Sequence, residues 1–372
     1  MESYPGCWRI SLGLESLDAY RDEIDELDER ILRDLALRVE TARKIGEYKR
    51  IHGIPVRDRE REVQVLARVR ILAERYGLDP LEVSNIYRLI LAFCRRVQGE
   101  EPQVAYLGPR GTFSEEAARK YFEGRPVVYS PADNVKDIFR LVSTGEADYG
   151  VVPVENSIEG SVNVVLDMLL ETDCMVYGEV EVRIRHNLLA KPGVGLRDIR
   201  MVLSHPQALA QCRSFLEENL PKARIVESAS TAAAVKRASR LKGAAAIGTE
   251  LAAQIYNMNI LAGGIESNPN NYTRFLIVSR NDHPPTGRDK TSIIFSVSHK
   301  PGALHRALQP FASRNINLTR IESRPARMTP WDYLFYCDFE GHRLEEPCIN
   351  ALKELENSCT MIKVLGSYPR VR

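Results

Sequence analysis

The first hundred residues carry apolar side chains at a helical period, and a charge interrupts them. The apolar positions, seven residues apart, are Leu17, Ile24, Ile31 and Ile45. The pattern predicts one helix over residues 14–51, roughly 55 Å long at ~1.5 Å per residue. Arg38 occupies the remaining position of the series, where a packed helix favours leucine or isoleucine. Because a buried unpaired charge is costly, we expect an anion against Arg38, and a small dicarboxylate inside a helical bundle satisfies this.

Two shorter helices are predicted after a break at residues 52–55, which contain a glycine and a proline. The second helix runs from about Asp58 to Tyr76, and the third from Leu81 to Gln98 after an Asp-Pro start. The first helix is too long to bury its apolar seam against these two neighbours, so we expect dimerisation. The alternative is a helical hairpin that serves only to oligomerise.

After a linker at residues 99–102 the pattern changes to short apolar runs that alternate with helical stretches. The predicted strands lie at 104–107, 127–129, 149–154, 176–182, 187–190, 201–203, 223–226, 244–247 and 275–278. This alternation predicts an α/β domain with largely parallel sheets. A division near Val182 predicts two lobes with a cleft between them.

A second linker, residues 281–287, precedes a region whose predicted order is βαββαβ, a ferredoxin-like arrangement. Its predicted elements lie at 291–298, 303–313, 317–322, 333–339, 345–356 and 361–365. The sequence thus predicts three domains, at residues 12–99, 103–280 and 290–372.

Composition narrows the function classes for this chain of 372 residues. Net charge is +1, and residues 12–99 carry seventeen basic and seventeen acidic side chains, which argues against a nucleic-acid surface. No apolar stretch approaches the ~20 residues of a membrane span, and residues 1–11 lack the layout of a signal peptide. The seven cysteines are scattered without a CxxC pair, which favours a reducing cytoplasm. No metal and no cofactor are predicted.

Cationic and acidic side chains of the helical region fall on common faces. Arg38 and Lys49 are eleven residues apart, so only ~20° separates them around the helix axis. Arg21 lies ~100° away from Arg38, which suits the pocket of a partner subunit. Further polar pairs at i,i+4 spacing are Asp58 with Glu62, which flank Arg61, and Cys94 with Gln98.

Residues 17–98 resemble the helical, intertwined-dimer chorismate mutases. The matching positions are Arg21, Arg38, Lys49, residues 56–58, Arg61, Glu62 and Gln98, while Cys94 stands where serine is best known. The resemblance implies that Arg38 and the partner subunit's Arg21 bind the two substrate carboxylates. It further implies that Lys49 and Gln98 address the ether oxygen, and that Asp58 and Glu62 hold the ring hydroxyl.

This assignment fits the chemistry of chorismate, whose rearrangement is unimolecular and needs no nucleophile, metal or general base. Two effects accelerate such a reaction: holding the reactive conformer, and placing cations where the breaking C–O bond gains negative charge.

In the α/β region, several strand-to-helix turns carry polar side chains. Thr112 pairs with Glu115, and Ser204 with Gln207, as capping boxes. Residues 152–160 form another polar turn, and Ser230-Thr231 begins a further helix. Several helix N-termini that face one cleft predict an anion site.

Residues 104–280 resemble prephenate dehydratases through four motifs in order. These are LGPxGT(F/Y)S, which contains Thr112; VPxENS, which contains Glu155, Asn156 and Ser157; SHPQA, which contains Ser204 and His205; and TRF, which is Thr273, Arg274 and Phe275. The resemblance implies that Thr273 is the catalytic hydroxyl and that Arg274 or nearby N–H groups hold a carboxylate. We expect Thr273 to donate a hydrogen bond to the ring hydroxyl that departs, with Glu155 and His205 as further acid candidates and Thr231 nearby.

Residues 291–369 resemble the regulatory ACT domain of the same enzymes. Its GAL element is Gly302, Ala303 and Leu304, and its ESRP element is Glu322, Ser323, Arg324 and Pro325. The resemblance implies that phenylalanine binds here at a dimer interface, with N–H groups of the GAL segment on its carboxylate. The alternative is a dimerisation module without a ligand.

These observations predict a multidomain enzyme of the bifunctional chorismate mutase–prephenate dehydratase class. Its expected fold is an all-α mutase bundle that forms an intertwined dimer, a two-lobed α/β domain like periplasmic binding proteins, and a ferredoxin-like α+β domain. It is expected to convert chorismate through prephenate to phenylpyruvate under phenylalanine feedback. The expected enzyme is a cytoplasmic homodimer or tetramer without nucleic-acid or membrane partners. The alternatives are a two-lobed small-molecule sensor with a regulatory module, and a DNA-binding regulator that the charge balance disfavours.

Overall fold

A computed structural model describes residues 17–325 and 333–371 of the chain. The described residues up to Glu100 form one compact unit, and those from Glu101 onward form a second. Predictions that fall on residues 1–16 and on residue 372, including the first turn of the long helix and Cys7, lie outside the described residues.

The first unit contains the three predicted helices, α1 (Leu17–His52), α2 (Arg59–Arg75) and α3 (Pro80–Val97). Asp58 caps α2 by accepting a hydrogen bond from the backbone N–H of Arg61, and Asp79 caps α3 just before its proline. Three of the apolar residues spaced by seven along α1 do not pack against α2 or α3. Their exposed fractions are 65% for Leu17, 57% for Ile24 and 63% for Ile31. The described part of this unit therefore leaves an apolar stripe on α1 uncovered within the chain.

The second unit begins with the α/β region, whose elements alternate much as the sequence predicts. In chain order they are β1 (Gln103–Leu107), α4 (Phe113–Tyr121), β2 (Val128–Ala132), α5 (Val135–Ser143), β3 (Tyr149–Asn156), β4 (Gly160–Ser161), α6 (Asn163–Glu171), β5 (Met175–Arg183), β6 (Asn187–Ala190), a 3₁₀ turn (Leu196–Asp198), β7 (Met201–Ser204), α7 (Pro206–Gln211), α8 (Arg213–Asn219), β8 (Arg224–Glu227), α9 (Thr231–Ala238), β9 (Ala244–Gly248), α10 (Glu250–Ile255), β10 (Asn259–Gly263) and β11 (Tyr272–Ser279). The short strand β4 and the half-exposed strand β10 were not predicted.

These elements form two lobes with one sheet each, of strand order β2-β1-β3-β11-β5 and β10-β6-β9-β7-β8. The expectation of largely parallel sheets is wrong, because both sheets are mixed. Strand β11 runs antiparallel to β3 and β5, and β6 runs antiparallel to β9 and β10. The reason is topological: the chain leaves the first lobe after β5 and returns to it only as β11. This return places β11 directly beside β3.

The last region has the predicted βαββαβ order. Its elements are β12 (Asp289–Ser296), α11 (Ala303–Ala312), β13 (Leu318–Pro325), β14 (Tyr333–Glu340), α12 (Glu346–Ser358) and β15 (Met361–Pro369). The antiparallel sheet has the order β13-β14-β12-β15. One face buries Phe295 and Phe339 beneath the two helices, where they share an apolar cluster with Phe311 of α11. The other face shares a core with the first lobe, since Tyr336 and Tyr368 belong to its apolar cluster.

Candidate active sites

The helical unit encloses a cavity of about 440 Å³ between its three helices. Its lining is Leu37, Arg38, Thr41, Ala42, Ile45, Lys49, Val56, Asp58, Arg61, Glu62, Val65, Leu91, Cys94, Arg95 and Gln98. The lining includes both Arg38 and Lys49, as their spacing along α1 predicts. Arg21 does not line this cavity: it is exposed and pairs with Asp18 at 3.1 Å.

Two cations of this cavity contact neutral groups. Arg38 is half-buried, and its Nη1 lies 2.7 Å from the Sγ of Cys94. Lys49 donates from Nζ to the carbonyl oxygen of Val56 at 2.6 Å. Within the described residues neither side chain has a carboxylate partner, so both positive charges are available to an anionic ligand.

The acidic side chains of the cavity are anchored within the described unit. Glu62 accepts from Arg95 at 2.8 Å, and Arg95 also pairs with Glu100 at 2.8 Å. Burial by itself lowers the pKa of the Arg95 guanidinium, but the two carboxylates raise it above its ordinary value. Sequence reasoning did not single out Arg95, because 33 residues separate it from Glu62 and no local spacing connects them.

Gln98, the C-cap of α3, packs directly against Gly46 of α1. A Cβ atom on Gly46 would stand 2.8 Å from the Cα of Gln98, so this approach requires glycine. The Nε2 of Gln98 donates to the carbonyl of Cys94 at 3.1 Å, while its Oε1 is buried without a partner in the described structure.

The second unit contains a cleft of about 290 Å³ between the two lobes of the α/β region. It is lined by Leu107, Gly108, Thr112, Phe113, Ser114, Pro153, Asn156, Ile184, His186, His205, Gln207, Ala208, Gln211, Ala229, Ser230, Thr231, Asn271, Thr273 and Phe275. The structure thus brings six predicted site residues together: Thr112, Asn156, His205, Thr231, Thr273 and Phe275. Four others, Glu155, Ser157, Ser204 and Arg274, do not line it.

Thr273 lies on β11 opposite Asn156 of β3. The Nδ2 of Asn156 donates to the Oγ1 of Thr273 at 2.9 Å. Because the threonine oxygen accepts this bond, its own proton remains available for donation. The side chain is 8% exposed, which shields that donor from bulk water.

Arg274 points away from the cleft, contrary to the expectation that it holds a substrate carboxylate there. Successive side chains of a strand point to opposite faces, so Arg274 and Thr273 do not share a face. Its guanidinium lies 3.1 Å from Asp338, 3.2 Å from Glu155 and 3.7 Å from Glu179. Burial by itself lowers the pKa of Arg274, but the surrounding carboxylates raise it above its ordinary value. Glu155, an expected acid, is committed to this cluster on the same opposite face.

Two serines of the motifs bond to the backbone instead of lining the cleft. Ser204 is buried and donates to the carbonyl of Ile247 at 2.9 Å. Ser157 donates to the carbonyl of Asn270 at 3.2 Å and accepts from the N–H of Tyr272 at 2.9 Å. Their roles in this structure are to tie neighbouring segments together.

The two predicted capping boxes differ from expectation. Helix α7 is capped by His205, whose Nδ1 accepts from the N–H of Gln207 at 3.4 Å, because Ser204 still belongs to β7. Thr112 does cap α4, but the carboxylate of Glu115 accepts from the N–H of Gly111 at 2.7 Å, one residue earlier than a capping box requires.

Three cleft residues were missed by sequence reasoning: His186, Gln211 and Asn271. Asn271 is two residues before Thr273, a spacing that places both on one face of an extended chain and was available as a signal. His186 and Gln211 carry no local signal, since they lie in the crossover after β5 and at the end of α7. Burial lowers the pKa of the His186 imidazole, which is 3% exposed.

The ESRP element of β13 divides between two faces. Glu322 accepts from Ser161 at 2.5 Å and from Arg320 at 2.6 Å, and Arg324 pairs with Asp167 at 2.9 Å. Both side chains therefore contact the first lobe of the α/β region, while Ser323 and Pro325 are on the exposed face. In the GAL element, Gly302 has φ +75° and precedes the first residue of α11.

The chain is similar in sequence to known proteins over all three regions. Family models match residues 20–99 (chorismate mutase type II), 104–283 (prephenate dehydratase) and 291–357 (ACT domain). A bifunctional chorismate mutase/prephenate dehydratase of Aquifex aeolicus is 45% identical over 360 residues, which are 96% of this chain and 99% of that protein. The chain belongs to the bifunctional chorismate mutase/prephenate dehydratase family. The enzyme of the same name from Escherichia coli K12 is 35% identical over 94% of this chain and 95% of its own length.

Solved structures match about 72% of this bifunctional mutase–dehydratase. Prephenate dehydratase of Arthrobacter aurescens in complex with L-Phe is 38% identical, with TM-score 0.65, over 72% of this chain and 90% of that one. A protein described as a novel type of quorum quenching acylase, GqqA, is 32% identical, also with TM-score 0.65, over 72% of this chain and 97% of that one. Among the described residues, no helix is long and apolar enough to cross a membrane, and no group of three or more His, Cys, Asp or Glu side chains is arranged to hold a metal.

Proposed function

We propose that the bifunctional activity is divided between the two cavities, with domains at residues 12–99, 103–280 and 290–372. Chorismate rearranges to prephenate in the helical cavity, and prephenate loses carbon dioxide and its ring hydroxyl in the cleft to give phenylpyruvate. The observation that carries the proposal is the chemistry of the two linings: one offers cations without carboxylate partners, and the other a buried threonine hydroxyl free to donate.

In the helical cavity, Arg38 and the partner subunit's Arg21 bind the two carboxylates of chorismate. Lys49 stabilises the negative charge that develops on the ether oxygen, and Gln98 donates to the same oxygen. Glu62, oriented by Arg95, holds the ring hydroxyl together with Asp58, while Arg61 flanks this pair. Cys94 contacts the Arg38 guanidinium and so fixes its direction.

The need for a second chain follows from α1. Its exposed apolar stripe supports a homo-oligomer in which long helices cover each other. Each Å² of apolar surface that is buried between them contributes about 25 cal/mol to association. Arg21, which points away from its own cavity, then belongs to the cavity of the other subunit.

In the cleft, the electrons of the breaking C–C bond aromatise the ring and expel the hydroxyl group. Thr273 donates a hydrogen bond to the departing oxygen, and Asn156 holds the threonine in place. Among the described residues, the lining contains no lysine or arginine, so the first-turn N–H groups of α4 and α9, near Thr112 and Thr231, bind the substrate carboxylates. His205 is the remaining acid candidate of the motifs within the lining.

Phenylalanine is the proposed effector of the C-terminal domain, as the complex of the Arthrobacter enzyme with L-Phe supports. We assign its carboxylate to the N–H groups of Gly302, Ala303 and Leu304, and its further contacts to Ser323 and Pro325. Glu322 and Arg324, which contact the first lobe, transmit binding to that lobe. The six described cysteines are unpaired, which supports a reducing compartment such as the cytoplasm.

The test supplies the purified chain with chorismate and follows its absorbance and the formation of phenylpyruvate, with and without phenylalanine. Prephenate supplied directly should give phenylpyruvate without the first step. The sensor and DNA-binding alternatives both require that chorismate is not consumed. If the chain converts neither chorismate nor prephenate, the proposal is wrong.

A further inference from the structure

Two carboxylates hold different nitrogens of the Arg95 guanidinium. The Nη1 of Arg95 donates to the Oε1 of Glu62 at 2.8 Å, and its Nε donates to the Oε2 of Glu100 at 2.8 Å. The side chain of Arg95 is 8% exposed and that of Glu100 is 13% exposed. Glu62 lines the helical cavity, whereas Glu100 is not part of the lining. Arg95 therefore connects a residue of the cavity to one outside it.

The turn that ends α3 places Glu100 beside Arg95. Gly99 has φ +88°, in the left-handed region that favours glycine. Its N–H donates to the carbonyl of Arg96 at 3.0 Å, and the N–H of Glu100 donates to the carbonyl of Arg95 at 3.1 Å. These two bonds form a Schellman motif. Both the backbone and the side chain of Glu100 are thus bonded to Arg95.

The other oxygen of Glu100 faces the loop before α2. Its Oε1 lies 3.9 Å from the Nε of Arg57, the residue that precedes Asp58. Asp58 is the N-cap of α2, and Glu62 lies one turn further along the same helix. One carboxylate outside the cavity therefore contacts both of the cations next to the acidic side chains of the lining.

Arg95 differs from the other cations of the cavity in its partners. Arg38 and Lys49 contact neutral groups, whereas the charge of Arg95 is already offset by two carboxylates. This favours a role for Arg95 in holding Glu62 over a role in binding a substrate carboxylate. Because the Oε1 of Glu62 accepts from Arg95, we assign the substrate hydroxyl to the Oε2 of Glu62.

Relying on the proposed mutase function, we propose that Glu100 is a positioning residue of the mutase site. By accepting the Nε proton of Arg95, Glu100 fixes the direction in which the Nη1 of Arg95 donates. Arg95 in turn holds Glu62 in the orientation that accepts the ring hydroxyl of chorismate. That contact helps to keep the substrate in its reactive conformer, although Glu100 itself does not touch it.

Two substitutions of Glu100 separate the hydrogen bond from general support of the turn. Glu100→Ala removes the acceptor, whereas Glu100→Gln keeps a neutral oxygen that can accept from the Nε of Arg95. We expect mutase kcat/KM to fall about 10-fold in Glu100→Ala, as loss of one charge-assisted hydrogen bond implies, and by about threefold or less in Glu100→Gln. Equal losses in the two variants would overturn the proposal.

Glu101→Ala is the matched control, since Glu101 is the next residue along the chain and is exposed. Its mutase activity should equal that of the wild type. Conversion of added prephenate should be unchanged in all three variants, and urea unfolding verifies that each is folded.

A chorismate analogue that lacks the ring hydroxyl gives a measurement that a merely structural role would not change. The group that Glu62 is proposed to hold is missing from this analogue, so Glu100→Ala should match the wild type on it within about twofold. Turnover of the analogue is compared or, if it is not converted, its inhibition constant against chorismate. A loss as large as that seen with chorismate would show that Glu100 only supports the fold and would overturn the assignment.

Arg57→Met separates the two contacts of Glu100. It should lower mutase kcat/KM less than Glu100→Ala does, because the pair at 3.9 Å is longer than a hydrogen bond. An equal or larger loss would assign the effect to the loop before α2 and contradict the route through Arg95.

Conversion of chorismate by the wild type is scored separately from these comparisons. If the wild type does not convert chorismate, the proposed mutase function is wrong. If it does and Glu100→Ala equals it, only the assignment to Glu100 is wrong.

Discussion

The helical cavity and the cleft bind anions by different physical means. The described lining of the first contains permanent charges, with Arg38 and Lys49 facing the site and Arg95 neutralising Glu62. The described lining of the second contains no arginine, lysine, aspartate or glutamate, and its titratable side chains are His186 and His205. Both reactions build negative charge on a departing oxygen: the first lining meets it with fixed cations, and the second with oriented neutral hydrogen-bond donors.

We expect the largest loss of activity when a permanent charge is removed from the first site. In Lys49→Met, mutase kcat/KM should fall about 100- to 1000-fold, because the developing charge on the ether oxygen loses its cation. Lys44→Met is the matched control, since Lys44 is exposed on the same helix and pairs with Glu40. Chorismate consumption measures the effect, and conversion of added prephenate should remain at the wild-type rate.

The reciprocal change removes a donor from the second site. Thr273→Val preserves the shape of the side chain but deletes its proton, so dehydratase kcat should fall about 100-fold or more. The exposed strand threonine in Thr319→Val is the control. Loss of mutase activity in folded Thr273→Val would contradict the separation of the two sites.

A smaller effect, on stability, distinguishes Arg274 from its neighbour Thr273. Arg274→Met removes one cation from Asp338, Glu179 and Glu155, although Lys290 still pairs with the first two and Arg320 with the third. Loss of these charge-assisted hydrogen bonds should lower the free energy of unfolding of the second unit by about 2 kcal/mol. Urea unfolding measures this, with exposed Arg213→Met as control. If the variant unfolds like the wild type and loses only activity, Arg274 acts in catalysis instead.

The same cluster should make the second unit sensitive to acid. Burial would raise the pKa of Asp338, but Lys290 and Arg274 hold it below the ordinary carboxyl value. A carboxyl with a depressed folded pKa stabilises the protein above its unfolded pKa of about 3.9, and that stability is lost as pH falls further. Urea midpoints of the wild type should therefore decrease below about pH 4, and by less in Asp338→Asn.

The smallest effect concerns a motif residue that the structure places outside the cleft. Ser157→Ala should change dehydratase kcat/KM by no more than about threefold, because its hydroxyl bonds only to backbone groups in a partly exposed turn. A loss comparable to that of Thr273→Val would show that Ser157 reaches the substrate.

Local signals account for most of what sequence reasoning anticipated. The three helices and the common face of Arg38 and Lys49 follow from spacing within one segment. The βαββαβ order and most strands follow from apolar runs between turns. Strand β4, of two residues, and strand β10, of which three residues are exposed, lack such a run and were missed.

The face of the sheet to which a side chain points was harder to predict than the motif to which the residue belongs. Thr273 and Arg274 are adjacent in one motif, yet only the first lines the cleft. The alternation itself was readable, but the face that meets the cleft depends on which strand lies beside β11. Ser204 and Glu115 show the same limit, because their partners are Ile247 on the neighbouring strand β9 and Gly111 in the turn before α4.

The sequence by itself determined the order of elements, the three-part organisation and the residue types of both sites, since each depends on contacts within a few residues. Only the tertiary structure decided which strand faces meet the cleft, that Arg95 holds Glu62, and that His186, Gln211 and Asn271 join Thr273. The contact between Arg95 and Glu62 comes from the packing of α3 against α2, over 33 positions. The contacts around Thr273 connect residues up to 117 positions apart, because β11 returns to the first lobe beside β3.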